Sequence, residues 1–132
     1  MDIRGTTRVL AVIGNPVEHT LSPLIHNTLS QELGLDLVYV PLRVEQDVEM
    51  AVRGAFALNF LGMNVTVPHK QAVIPALESI DPLAERIGAV NTLVRQNTGF
   101  RGYNTDILGL KRALSKRGAQ LHGRGAVLVG CG

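Results

Sequence analysis

Four short stretches of this 132-residue chain carry polar groups that packing does not require. The first is HTLSP, where the hydroxyls of Thr20 and Ser22 lie two residues apart at the entrance to a helical pattern. A helix N-terminus offers free N–H groups and partial positive charge, and two hydroxyls add donors, so this point suits a carboxylate or phosphate. The plainer reading makes Ser22 a helix N-cap and Thr20 a loop residue. The second stretch is NVTVPHK, in which Asn64 and Thr66 project to one side of a strand by its period of two, and Lys70 follows one turn later. An ammonium near a carbonyl or hydroxyl can serve as general acid or base. A lysine also has the plainer reading of a solvated surface charge, and His69 reads as a structural or surface residue. The third is GAVNT, where Asn91 follows small residues and can both donate to and accept from a ligand hydroxyl. A loop amide bonded to backbone is its alternative. The fourth is GYNTD, with Asp106 in the first turn of a helix, where the macrodipole alone could explain a carboxylate. Facing Lys70, that carboxylate would hold the ammonium in place and bond a ligand hydroxyl.

These stretches need elements to hold them. RVLAVIG (Arg8–Gly14) is a buried strand ending in glycine. SPLIHNTLSQELG predicts a helix with Ser22 as N-cap, Pro23 at the first helical position and Gly34 just past the end. Ile25, Leu29 and Leu33 recur every fourth residue and give it an apolar face. Leu37–Val44 is a second strand, whose Pro41 suggests an edge. Val48, Ala51, Val52, Ala55 and Phe56 mark a second helix. Gly62–Val67 predicts the third strand. Pro68 then opens a helical turn, and Asp81–Ile87 forms another. Ala89–Gln96 and Gly99–Asn104 read as short strands joined at Asn97–Gly99. A helix follows, capped by Asn104 or Thr105, with Ile107, Leu110 and Leu114 as its apolar stripe and Gly118 at its end. Ala126–Val129 is a last strand. The alternation implies an α/β three-layer sandwich with a mainly parallel sheet, to which the late strand pair adds an antiparallel element. Ligands of open parallel sheets lie beyond the carboxyl ends of the strands.

Composition narrows the function classes. The chain is long enough for one domain with a real core, and its 45% hydrophobic content is ordinary for a globular protein. There is no Trp, so Val, Leu, Ile and Ala must build that core. No apolar run is long enough to cross a bilayer, MDIRGTTR lacks the apolar region of a secretory signal, and a single cysteine cannot form an internal disulfide. These features point to the cytoplasm and to no membrane partner. The net charge is only +2, and the cluster Lys111, Arg112, Lys116 and Arg117 reads as a solvated helix face rather than a nucleic-acid surface. The four histidines lack ligand spacing, so no metal site is expected. There is no serine nucleophile elbow and no phosphate loop with its Lys-Ser/Thr. The terminal GCG follows an apolar strand, the context that a dinucleotide-binding turn demands. A chain that stops there reads as the front part of a longer protein.

GNPVEHTLSPLIHN, GMNVTVPHK, GAVNT and GYNTDILG, in this order, closely resemble the shikimate dehydrogenases, and VLVGCG resembles the opening of their glycine-rich NADP-binding loop. The resemblance runs from about Val9 to Gly132. It implies an NADP-dependent oxidoreductase that reversibly reduces 3-dehydroshikimate to shikimate, on the route to chorismate and aromatic amino acids. By motif, Thr20 and Ser22 match the hydroxyl pair that binds the substrate carboxylate. Asn64, Thr66, Asn91 and Asp106 match residues that bind ring hydroxyls or frame the site. Lys70 and Asp106 match the catalytic pair, and Thr105 stands in the wall. Thr20 departs from the usual serine, adding a methyl and a stiffer χ1.

The resemblance further implies a dehydrogenase substrate-domain fold over residues 1–105, a linking helix and loop over 106–123, and the start of a Rossmann NADP-binding domain over 124–132. Gly130, Cys131 and Gly132 would open the cofactor loop. The choice of NADP over NAD rests on the family alone, because the residues that read the ribose 2′ position are not in the chain. The 132-residue chain by itself is expected to be inactive. Two alternatives stay open: a quinate/shikimate dual-specificity dehydrogenase, and a stand-alone hydroxy-carboxylate binding module without turnover. The sequence also leaves open whether a homodimer forms.

Overall fold

The first strand already sets the layout. In the computed structural model, which describes residues 2–119, 122–125, 127 and 129, strand β1 (Arg8–Gly14) runs through the middle of one half of a six-stranded sheet. Its side chains alternate, so Ala11 and Ile13 enter one layer while Val12 enters the other. Helix α1 (Ser22–Glu32) leads to the edge strand β2 (Leu37–Arg43), and helix α2 (Val48–Ala57) returns the chain to β3 (Gly62–Val65) on the far side of β1. A 3-10 turn (Ile74–Ala76), β4 (Ser79–Ile80) and α3 (Pro82–Ile87) come next, then β5 (Thr92–Arg95), β6 (Phe100–Tyr103) and α4 (Asp106–Lys116). The strand order is β2-β1-β3-β5-β6-β4. β2, β1 and β3 are parallel, as are β6 and β4, whereas β5 pairs antiparallel with both β3 and β6. The expected α/β sheet, mainly parallel with an antiparallel element, is therefore present.

The core lies between the sheet and α2. Val48, Val52 and Ala55 pack on Ala11, Ile13, Met63, Val65, Leu93 and Phe100. Each of the valine, isoleucine, leucine, methionine and phenylalanine side chains among them contributes roughly 1.5–3 kcal/mol when fully buried. Phe56 meets Phe100 edge to face, with ring centroids 5.5 Å apart. Arg95 reaches over the Phe56 ring and donates to the carbonyls of Phe56 and Phe60, which ties the end of β5 to the end of α2. β4 is too short to carry a periodic signal, and the sequence did not reveal it.

Helix α1 is docked by its polar side. Leu21, Leu24, Ile25, Leu29 and Leu33 are all exposed, from 47% for Leu29 to 68% for Leu21, so the apolar face anticipated from Ile25, Leu29 and Leu33 points outward. The helix is held on β2 instead. The Asn27 side-chain amide donates to the Tyr39 carbonyl at 2.9 Å and accepts from the Tyr39 N–H at 2.8 Å. It thus serves an edge strand as a neighbouring strand would. His26 stacks on the Tyr39 ring at 4.4 Å, and Ser30 is buried. Two backbone groups of a buried edge residue need partners, and this need sets the rotation of the helix more firmly than leucine burial does.

Other expectations shift by a few residues. Leu21 is the N-cap of α1, without a side-chain cap bond, and Ser22 begins the helix, so Ser22 is not the cap. β3 stops at Val65, and Val67, expected within the strand, is 63% exposed. The 3-10 turn and the turns before it follow Pro68. Gly34 and Gly118 take left-handed conformations just past α1 and α4, as anticipated. Ala126 and Leu128 of the expected last strand, and Gly130, Cys131 and Gly132, lie outside the described residues, while Val127 and Val129 are exposed and form no strand. No helix of the described residues is long and apolar enough to cross a membrane, and among them no group of three or more His, Cys, Asp or Glu gathers.

Candidate functional site

The carboxyl ends of β1 and β3 and the N-termini of α1 and α4 surround one cleft of about 520 Å³. Its lining includes Thr20, Ser22, Asn64, Thr66, Lys70, Asn91, Thr105 and Asp106. All eight residues singled out in the sequence for substrate binding or catalysis thus converge on it, from stretches spread over some 86 residues of chain (Thr20 to Asp106). A larger hollow of about 630 Å³ lies beside α2 and the turn before β6, lined by Val52, Phe56, Leu77, Thr98 and Phe100 among others. It contains none of these eight, and its charged groups are only Arg53 and Glu78.

The two hydroxyls at the entrance to α1 form a unit. Thr20 Oγ1 lies 3.2 Å from Ser22 Oγ and accepts from the Ser22 N–H at 3.3 Å. Because Ser22 does not cap the helix, its hydroxyl is not consumed by backbone and faces the cleft beside Tyr39.

Lys70 reaches the cleft because the chain turns directly after β3. The Thr66 N–H bonds Ile13 across to β1, and the His69 N–H bonds the Thr66 carbonyl at 2.9 Å. His69 is buried, with Nε2 2.7 Å from the Val44 carbonyl. A carbonyl only accepts, so Nε2 carries the proton, and His69 anchors the turn as the structural residue that its sequence context suggested. The Lys70 carbonyl takes the Val90 N–H at 2.8 Å, fixing the other side of the turn. Lys70 Nζ then lies 2.5 Å from Asp106 Oδ2, with the two side chains 33% and 59% exposed. This ion pair is half in water, so its value is positional rather than energetic.

Asp106 is aimed by a residue that the sequence marked only as a helix cap. Asn104 is buried, donates to the Ala89 carbonyl at 3.0 Å and accepts the Asp106 N–H at 3.1 Å. Asn91 is buried directly before β5. Its Oδ1 accepts from the Thr105 N–H at 3.0 Å and from the Thr92 hydroxyl at 2.9 Å, and its Nδ2 donates to Thr105 Oγ1 at 3.0 Å. Asn64 Oδ1 accepts from the Tyr39 hydroxyl at 2.7 Å. Tyr39 and Thr92 were not singled out in the sequence. Each sits in an ordinary strand pattern, where an aromatic or β-branched residue needs no special reason. Tyr39 is 3% exposed, and burial pushes its phenol up to about 12, against a smaller opposite effect of the Ser22 hydroxyl. The phenol is therefore a neutral donor at ordinary pH.

Paired hydroxyls, two amides and a lysine–carboxylate pair, gathered in one cleft of an open α/β sheet, are the groups that a site for a polar small molecule needs. Comparison with known proteins specifies it. Residues 12–93 match the family described as Shikimate dehydrogenase substrate binding domain, and the chain belongs to that family. It is 49% identical, over 98% of its length and 45% of the relative's, to the shikimate dehydrogenase (NADP(+)) of Desulforamulus reducens. It is 45% identical to that of Moorella thermoacetica, over 100% of its own length and 45% of the relative's. A shikimate 5-dehydrogenase from Listeria monocytogenes, solved with shikimate and NAD, superposes with a TM-score of 0.85 at 37% identity, over 93% of this chain and 43% of that one. Another shikimate dehydrogenase, solved with NADP+, gives 0.84 at 40% identity, over 91% and 42%. The chain thus spans less than half the length of these relatives.

Proposed function

We propose that this chain is the substrate-binding part of an NADP-dependent shikimate dehydrogenase, acting in the cytoplasm in the reversible reduction of 3-dehydroshikimate to shikimate. The observation that carries this reading is the Lys70–Asp106 pair at 2.5 Å, set in the same cleft as the Thr20–Ser22 hydroxyls. In this reading residues 1–105 form the substrate domain, 106–123 the link and 124–132 the opening of the nucleotide-binding unit. α4 has no buried residue, as suits a link rather than a core element.

The residues expected to touch the cofactor, Gly130, Cys131 and Gly132, lie outside the described residues. The nicotinamide, when bound, supplies the hydride. The chain's own residues do the rest. Thr20 and Ser22 donate to the substrate carboxylate at the positive end of α1 and fix one end of the ring. Asn64, Thr66, Asn91 and Thr105 line the wall against the ring oxygens. Lys70 stands where negative charge grows on the oxygen of the reacting carbon, stabilises it and delivers a proton there. In the reverse direction, neutral Lys70 accepts the hydroxyl proton. Asp106 holds the amine in place and accepts from a neighbouring substrate hydroxyl.

Calorimetric titration tests the reading. Shikimate should bind the 132-residue chain saturably and in preference to quinate, with no NADPH-dependent turnover. Lys70→Ala should weaken binding by about tenfold or less, because one partly exposed charged hydrogen bond is lost. No shikimate binding by the wild type would sink the substrate assignment. Preference for quinate would favour the dual-specificity enzyme, and an NADPH-dependent rate from this chain would overturn the division of labour.

A further inference from the structure

The two cleft asparagines belong to one chain of hydrogen bonds, and its ends leave only one direction for it. The Asn91 backbone carbonyl lies 3.3 Å from Asn64 Nδ2 and can only accept. The end of Asn64 that faces it is therefore the NH2, and its Oδ1 faces Tyr39, whose hydroxyl must donate. At the other end, the Thr105 backbone N–H can only donate, so the atom of Asn91 that faces it at 3.0 Å is Oδ1. Thr92 Oγ1 stands between the two amides, 3.3 Å from Asn64 Nδ2 and 2.9 Å from Asn91 Oδ1. It must accept from the first and donate to the second. No hydroxyl rotor or amide flip remains free along Tyr39, Asn64, Thr92 and Asn91.

We infer that Thr92 is a positioning residue for the proposed substrate site: the Asn91 carbonyl and the Thr105 N–H set which way each amide faces, and the Thr92 hydroxyl, bonded to both amides, holds them there, so that Asn91 offers the cleft an N–H donor and no acceptor. Asn91 Oδ1 is saturated by Thr92 and Thr105, and one N–H of Nδ2 goes to Thr105 Oγ1. The capacity left to Asn91 is its second N–H. The substrate oxygen opposite it must accept, and a hydroxyl there must send its own proton elsewhere. This selects a ring oxygen by direction as well as by position. The inference about the substrate rests on the shikimate reading, whereas the locked amides do not.

Two measurements on the 132-residue chain separate those parts. Side-chain NH2 resonances of Asn64 and Asn91, followed without ligand by ¹⁵N-correlated NMR, should each be a single sharp pair in wild type and in Thr92→Ser, which keeps the hydroxyl. In the near-isosteric Thr92→Val they should broaden or double. Shikimate affinity should fall by about tenfold in Thr92→Val and stay within about twofold in Thr92→Ser, as expected for one to two lost hydrogen bonds that a serine restores. Unchanged amide resonances in Thr92→Val would overturn the lock. Changed resonances with unchanged affinity would overturn its role in recognition. If the wild type binds no shikimate, the substrate reading fails while the resonances still test the lock. If Thr92→Val does not fold, Thr92→Ala removes the same hydroxyl without adding bulk, and unaltered amide resonances there would equally refute the lock.

Discussion

Gly14 offers a sharp test of how the sheet shapes the cleft. It ends β1 beside the turn that carries Lys70, and a Cβ added there would lie 2.3 Å from Thr66 Cγ2, 3.0 Å from the Val67 carbonyl oxygen and 3.2 Å from Val17 Cγ1. Carbon atoms pack best at about 3.5–4.0 Å, so the first contact is an overlap of more than about 1 Å. Thr66 cannot retreat easily. Its N–H is bonded to Ile13 at 2.9 Å, and its branched Cβ leaves few χ1 wells. Overpacking of this kind costs about 1–3 kcal/mol. With a urea slope of about 1–3 kcal/mol/M, Gly14→Ala should lower the unfolding midpoint by roughly 1 M. It should also weaken shikimate binding, because a displaced Thr66 no longer lines the wall. Thr66→Ser deletes Cγ2 and keeps the hydroxyl. The double variant should therefore recover at least half of the loss, with a favourable coupling of about 1 kcal/mol or more. Urea unfolding followed by far-ultraviolet circular dichroism on all four proteins measures that coupling. A Gly14→Ala midpoint equal to wild type, or a double variant no more stable than the sum of the singles, would refute the steric argument.

Two further outcomes are expected. Because the folded chain keeps the Tyr39 proton up to about pH 12 and the unfolded chain loses it near pH 10, stability is whole below pH 10 and falls as pH rises toward 12. The loss approaches roughly 3 kcal/mol. Tyr39→Phe should remove that slope and the tyrosinate absorbance step near pH 12, and a Tyr39 that titrates near pH 10 in the folded chain would contradict its burial. Asn27→Ala leaves the N–H and carbonyl of Tyr39 without partners and should cost roughly 2 kcal/mol in urea unfolding. A cost below about 0.5 kcal/mol would mean that water satisfies these two groups and that the Asn27 amide does not hold α1.

Much of the fold was legible in sequence because its signals are local. The run Arg8–Gly14, the helix bounded by Ser22, Pro23 and Gly34, the edge strand with Pro41 and the α2 periodicity are each properties of ten or so consecutive residues. The polar residues at strand ends and helix starts could likewise be named, because a core has no use for a lysine after a strand or an amide before one. What local pattern could not supply was which neighbour satisfies each polar group. Ile25, Leu29 and Leu33 have helical periodicity, yet the helix docks through Asn27 and His26, since the buried backbone of Tyr39 must be paired. Ser22 looked like a cap and proved to be the first helical residue, with its hydroxyl left for the cleft.

Residue order alone was enough for most of the elements, though not β4, for the α/β class, and for naming polar side chains that line the cleft. Tertiary contacts were needed to bring Lys70 and Asp106, 36 positions apart, to 2.5 Å, and to join Tyr39, Asn64, Thr92 and Asn91 in one chain of hydrogen bonds. The physical reason is that hydrophobic periodicity depends on a residue's own side chain and its near neighbours. A hydrogen bond depends on a donor and an acceptor brought together by the whole fold.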